Sequence, residues 1–213
     1  MMKKNAIKTA ALGWAGLWFF FPFFTATAQE NALPPIKMKS DSYSENKALT
    51  DVMRFDNMDY YTTKFTGAAL KGTEYYMVAK EIWDGKIKKT DTIFSSATNS
   101  YIGKIENDSL NLTVIAKKSS DKSLKIKFLF DRFEIQKEYK SMHSDDYSLR
   151  DFGTHFPIVS GKPFYAFAYI LPYEDKEGNK FWCAVESSGK DIETWGKEFG
   201  IQHYILFEMR FGN

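Results

Sequence analysis

The chain has few of the residues from which catalytic and metal sites are most often built. It contains three histidines and one cysteine in 213 residues. Neither His-x-x-x-His nor Cys-x-x-Cys spacing occurs, which argues against the common zinc sites. There is also no G-x-S-x-G nucleophile turn and no glycine motif that would hold a phosphate. We therefore expect no metal, no cofactor and no catalytic residues.

The scarcity of cysteine has a second consequence. Cys183 is the single cysteine, so the chain cannot form an internal disulfide. It lies between Trp182 and Ala184 in an apolar run, where a buried thiol behaves as a small hydrophobe with a raised pKa. We interpret Cys183 as a structural residue and not as a nucleophile.

An excess of one charge is also missing once the N-terminus is set aside. Residues 1–8 contain three lysines, residues 9–24 form an uncharged apolar run, and Ala26-Thr27-Ala28 offers small residues at the spacing that signal peptidase accepts. This layout is typical of a secretory signal peptide. Without residues 1–28 the chain holds 26 basic and 27 acidic residues. Such a balance gives no electrostatic case for binding nucleic acid or anionic lipid.

These features predict the domain organisation. The apolar run is interrupted by Pro22 and is shorter than the roughly 20 residues that cross a membrane, so cleavage is favoured over anchoring. We predict a cleaved signal peptide over residues 1–28, an extended polar leader over 29–46 and a single domain over 47–213. No cysteine stands near the cleavage site, so the expected product is a soluble periplasmic or extracellular protein, not a lipoprotein, with no membrane insertion after cleavage.

Alternating apolar and polar residues indicate an antiparallel sheet. Residues 75–83 and 86–94 flank Asp84-Gly85, a favoured two-residue hairpin turn. A second predicted hairpin joins residues 110–114 to 124–128 through a polar loop over 117–123. Each of these strands has one apolar face, as expected for a sheet with one side on the core.

The last third of the chain is strongly aromatic. We predict a wide hairpin with arms over residues 164–171 and 181–185, a helix over 191–199 and a closing strand over 203–211. Both faces of the first strand are apolar, which places it at the centre of the sheet. Residues 132–147 show no period, and a short helix and a long loop both remain open there. The predicted fold class is α+β, a single β-rich domain with a largely antiparallel sheet built from hairpins and two or three short helices.

Two predicted loops, over residues 141–156 and 172–180, are the expected working surface. The sequence His143-Ser144-Asp145 has the residue types of a hydrolase triad, but triads are assembled in space and rarely by neighbours in sequence. A hydrolase using His143 or His155 is therefore kept only as an alternative. The candidate interaction residues in these loops are His143, Asp145, Asp146, Tyr147, His155, Tyr173, Glu174 and Asp175.

Export, a near-neutral charge and the absence of catalytic motifs together suggest a binding protein. We expect a non-enzymatic, exported (periplasmic) protein whose partner is another protein and not nucleic acid. Immunity or inhibitor proteins that neutralise an envelope-acting effector are one suitable class. The alternative is a protein that binds a small ligand or glycan in an aromatic pocket, because tyrosine and tryptophan dominate binding sites.

Overall fold

Two five-stranded antiparallel sheets form the domain in the computed structural model, which describes residues 34–182 and 191–212. Sheet I has the order β1 (Lys37–Ser42), β2 (Asp59–Thr66), β5 (Ser109–Ser120), β6 (Ser123–Phe130) and β7 (Glu134–Lys140). Sheet II has the order β4 (Lys86–Ser95), β3 (Tyr75–Trp83), β12 (His203–Phe211), β9 (Phe164–Ile170) and β8 (Ser148–Arg150). The predicted signal peptide and Cys183 lie outside the described residues.

Helices are short. Within the described residues they are α1 (Lys47–Phe55), α2 (Trp195–Phe199) and single 3₁₀ turns at Ala68–Leu70, Phe152–His155 and Ile192–Thr194. The prediction of a β-rich, antiparallel domain with few short helices is confirmed. The strands are divided between two sheets instead of one, because the apolar face of each sheet must be covered by another layer. Over the residues that the structure describes, no helix is both long and apolar enough to cross a membrane.

The core lies between the two sheets. Phe128 of sheet I contacts Phe207 of sheet II edge to face, with 5.1 Å between the ring centroids. Phe65 meets Phe211 in the same way at 5.1 Å. These aromatic pairs interdigitate as the inner faces of a β-sandwich do, and each adds about 0.5–1.5 kcal/mol beyond its buried area.

The predicted closing strand is the centre of sheet II. β12 pairs with β3 on one side and with β9 on the other, so the strand at 164–170 lies next to the centre and not at it. The outer face of β12 is covered by residues 191–199: the Tyr204 hydroxyl accepts from the Gly196 N–H at 3.2 Å and lies 3.0 Å from the Ile192 carbonyl oxygen. α2 ends where Gly200 takes a φ of 71°, which glycine allows at no steric cost.

The β3–β4 hairpin is confirmed, since Asp84 and Gly85 both have positive φ (49° and 69°), as a two-residue turn requires. The strands of the second hairpin are also confirmed. Its predicted loop over 117–123 is wrong, because β5 continues to Ser120 and only Asp121-Lys122 form the turn.

Three further predictions differ from the structure. Residues 132–147 were expected as a helix or loop, but they contain β7, an edge strand whose inward-facing Lys137 pairs with Asp91 at 3.0 Å. That inward charge removes the apolar alternation, and it also protects an exposed edge from pairing with other chains.

Within the predicted leader, residues 37–42 form β1 and pair with β2. Phe181 pairs with Tyr173, in a small hairpin of β10 (Tyr173–Glu174) and β11 (Lys180–Phe181), and not with β9.

Candidate functional site

Most of the candidate residues lie at one end of the sandwich. We call it the loop end. It consists of α1, the β3–β4 turn, the β5–β6 turn, residues 141–147 and residues 171–180. The two sheets are tied together here, because the Leu149 N–H of β8 donates to Asp59 Oδ2 at the start of β2, at 3.0 Å. Loops at the end of a rigid sandwich are a common position for binding residues.

The two predicted interaction loops meet at the loop end. They line a groove of about 610 Å³, together with residues 199–202. Lys180 Nζ lies 2.6 Å from Asp146 Oδ2 and 4.0 Å from Glu174 Oε1, so one ammonium joins the two loops. The hydrogen bond from Lys180 lowers the pKa of Asp146. His143 lies on the wall of the same groove.

The remaining predicted residues have other positions. Asp145 pairs with Lys118 at 3.0 Å, and Tyr173 packs edge-on against Phe199 at 5.8 Å. Asp175 accepts from backbone N–H groups of its own turn, at 2.8 and 2.9 Å, and so shapes that turn. Tyr147 is not an exposed loop residue but is buried, with 7% of its surface accessible.

The histidine geometry does not support the hydrolase alternative. His143 Nδ1 is 3.9 Å from Asp121 Oδ1, and both side chains are largely exposed. His155 is exposed, and its ring lies near that of Phe152. Neither histidine makes a hydrogen bond to a carboxylate in the part of the chain that the structure describes. A Ser-His-Asp triad needs such a contact to orient the histidine, so the described residues form no triad around His143 or His155.

Helix α1 presents apolar side chains to solvent at the loop end. Asn46 caps its first turn by accepting from the Leu49 N–H, and Met53 packs into the protein. The neighbouring face carries Leu49, Val52 and Phe55, with 45%, 63% and 92% of their surfaces accessible. An amphipathic helix normally turns such a face to the core. Phe55 also lines a hollow of about 290 Å³ that includes Asp121 and Asp145.

A buried polar cluster, which the sequence did not reveal, lies behind these loops. The pairing of β3 with β12 places Glu81 opposite Ile205, on the inner face of sheet II. Trp83 Nε1 donates to Glu81 Oε1 at 2.6 Å, and the indole stacks on the His203 ring with 4.0 Å between centroids. Tyr147 completes the cluster, with its hydroxyl 2.6 Å from His203 Nδ1.

Burial keeps the histidine of this cluster neutral. It lowers the pKa of His203 to about 4. The Tyr147 hydroxyl already accepts from the Met142 N–H at 2.9 Å, which leaves its proton for His203 Nδ1. The ring proton is then on Nε2, which faces Glu81 Oε1 at 4.0 Å. The one sequence signal that could have indicated this cluster is an acid, Glu81, at an inward register position of β3.

A cavity of about 720 Å³ opens beside Glu81, and Trp83 and Tyr139 line it with a group of lysines. No three His, Cys, Asp or Glu side chains within residues 34–182 and 191–212 are arranged to hold a metal ion.

In comparisons with known proteins, no family model, curated protein or solved structure matches the chain.

Proposed function

We propose that the chain is a non-enzymatic, exported binding protein that binds another protein through its loop end. The observation that carries this proposal is the exposure of Phe55, at 92% of its surface, beside the charged loops of the β5–β6 turn and residues 141–147. An aromatic anchor surrounded by charged side chains is the typical composition of a binding hot spot.

The apolar face of α1 supplies the affinity. Burial of Phe55 against a partner contributes about 1.5–3 kcal/mol, and Val52 and Leu49 add to it. Met53 fixes the helix to the sandwich, so the exposed side chains are presented without a large cost in ordering.

The charges around Phe55 restrict which partner fits. Asp121 and Asp145 share the hollow that Phe55 lines. Lys118 lies 3.9 Å from Asp121 and 3.0 Å from Asp145, so it offsets only part of their charge. The complementary surface is an apolar pocket with basic residues at its rim, because opposite potentials across an interface raise the association rate and exclude other partners.

Export by a signal peptide over residues 1–28 belongs to the same proposal. A small exported protein that presents one preformed end to a protein partner suits the neutralisation of an envelope-acting effector, and an immunity- or inhibitor-type role is the form that we propose. Cell fractionation tests the export. The protein should be recovered from the periplasm or medium, with a mass that lacks residues 1–28, and recovery of the full-length chain from the cytosol would contradict it.

Site-specific photo-crosslinking tests the surface. A photoreactive amino acid at Phe55 should give one defined protein adduct in cells, whereas the same probe at Tyr101, which is 79% exposed and lies outside the loop end, should not. The substitution Phe55→Asp should leave thermal unfolding unchanged, because the side chain is exposed, and should weaken binding of the adduct's partner about 30-fold or more. Equal labelling at both positions, or none at Phe55, would show that the loop end is not the interface.

A further inference from the structure

The cavity beside Glu81 lies between the sheets, at the loop end of edge strands β4 and β7. Its volume of about 720 Å³ lies within the roughly 300–1,000 Å³ of small-molecule sites. It is separate from the apolar face of α1, and it shares no lining residue with the hollow that Phe55 lines.

The rim of the cavity is basic. Four lysines line it: Lys88, Lys89, Lys122 and Lys140. Each is exposed, and none forms an ion pair with a carboxylate in the described part of the chain. Lysines elsewhere at the loop end, such as Lys118 and Lys180, do have carboxylate partners. Four unpaired ammonium groups around one concavity outnumber its two acids, Glu81 and Glu138, and favour an anionic ligand.

The inner wall of the cavity is polar, and its hydrogen-bonding groups do not all have a partner in the protein. Tyr139 is 5% exposed, and its buried hydroxyl has no hydrogen-bond partner. Glu81 is 8% exposed and accepts from Trp83 Nε1, which leaves further acceptor positions on its carboxylate. A group that both donates and accepts hydrogen bonds, as an alcohol does, would satisfy Glu81 and Tyr139 together. A bare phosphate would instead be repelled by Glu81.

Trp83 adds a flat apolar surface. One face of its indole is stacked on His203, and the side chain remains partly accessible at the cavity. Because Trp83 also donates to Glu81, its ring orientation is fixed before any ligand arrives. Aromatic rings held in this way can pack against the C–H face of a sugar.

We propose that this cavity binds an acidic saccharide, a sugar whose hydroxyls contact Glu81 and Tyr139 while its carboxylate or sulfate contacts the lysine rim. This site goes beyond the proposed protein interface and uses none of the residues that line the Phe55 hollow. Substitutions in the cavity therefore leave crosslinking at Phe55 unchanged, and failure of either proposal can be recognised separately.

Calorimetry with the purified chain tests the ligand class. The probe is the disaccharide of glucuronate and N-acetylglucosamine, and the matched neutral probe is N,N′-diacetylchitobiose. We expect the acidic disaccharide to bind about tenfold more tightly, with an affinity that falls as salt screens the lysines. Equal binding of N,N′-diacetylchitobiose, or full displacement by inorganic phosphate, would overturn the proposal. Alginate, a long polyuronate, then distinguishes a polysaccharide from a free sugar as the source.

Substitutions test the two parts of the site. Tyr139→Phe removes a hydroxyl that has no protein partner, so it should lower affinity about five- to tenfold without lowering stability. The double change Lys89→Gln with Lys140→Gln should weaken binding and reduce its salt dependence. Lys37→Gln with Lys71→Gln removes the same charge from exposed lysines outside the cavity and should have no effect. Unchanged affinity in both Tyr139→Phe and the rim variant would show that the acidic disaccharide binds elsewhere.

Discussion

Gly196 of α2 is packed directly on Gly85 of the β3–β4 turn: a Cβ added to Gly196 would lie 2.7 Å from the Gly85 Cα. The close approach seats the short helix on the hairpin and brings the Gly196 N–H to the Tyr204 hydroxyl. Two residues without side chains therefore fix the cover of sheet II.

The substitution Gly196→Ala should destabilise the fold. The added methyl group meets backbone atoms that cannot rotate away, so α2 must shift and the expected loss is about 1–3 kcal/mol in the free energy of unfolding. Urea unfolding measures it. Lys197→Ala, at the exposed neighbouring position, is the control and should change stability by less than about 0.5 kcal/mol. A stable Gly196→Ala protein would mean that the helix does not rest on the hairpin as described.

His203 should make stability fall at acid pH. In the unfolded chain its pKa is about 6.5, but burial lowers the native value to about 4. The unfolded state therefore binds more protons between these values, and stability that is complete above pH 6.5 is lost as the pH falls to 4, by up to about 3 kcal/mol. Unfolding curves over pH 4–7 measure the loss. A native imidazole that titrates near 6.5 in NMR spectra would contradict it.

Asp59 should make stability fall as the pH rises, which is the opposite of the effect of His203. Burial raises its pKa to about 6, although the Leu149 N–H and Arg150 act to lower it. The native state keeps this proton where the unfolded state has released it, so stability is highest below pH 3.8 and is lost as the pH rises through 6. Asp59→Asn, which can still accept from Leu149, should raise stability by about 1–3 kcal/mol at pH 7.5 and little at pH 4. The exposed Asp41→Asn is the control, and an equal gain at both pH values would refute the assignment.

The contributions of Lys80 and Glu208 to stability should depend on each other. The two side chains pair on the face of sheet II that residues 191–199 cover. Lys80 Nζ lies 2.9 Å from Glu208 Oε2, 2.7 Å from Glu193 Oε1 and 2.6 Å from the Tyr165 hydroxyl. Lys80→Met leaves two poorly solvated carboxylates without their cation and should cost about 1–3 kcal/mol. Adding Glu208→Gln should recover part of the loss. A double-mutant cycle measures this coupling, and simple additivity of the two changes would exclude it.

Local turn chemistry and alternation account for the part of the fold that the sequence predicts. Asp84-Gly85 specifies its hairpin because both residues take positive φ, and Asp191 and Gly200 bound the helical segment as expected. These signals act within a few residues. They do not determine how strands are distributed between sheets, so neither the sandwich nor the central position of β12 could be predicted from them.

Long-range pairing explains what the sequence did not predict. β7 was missed because Lys137 faces inward and is neutralised by Asp91, which lies 46 positions earlier in the chain. Glu81 likewise becomes part of a cluster only when β12 brings His203 beside it. Three of the candidate residues, His143, Asp146 and Glu174, lie in one groove, but Lys180, which pairs with Asp146 and Glu174, lies outside the set of candidates.

The central position of β12 delays the assembly of sheet II until late in the synthesis of the chain. β3 and β9 have no common partner until residues 203–211 have been made, so sheet II cannot assemble while the ribosome is still producing the first two hundred residues. Pairings of such large separation form slowly. The nascent chain thus stays without a complete sheet II until residues 203–211 have been made, an incompletely folded state that suits the export we propose.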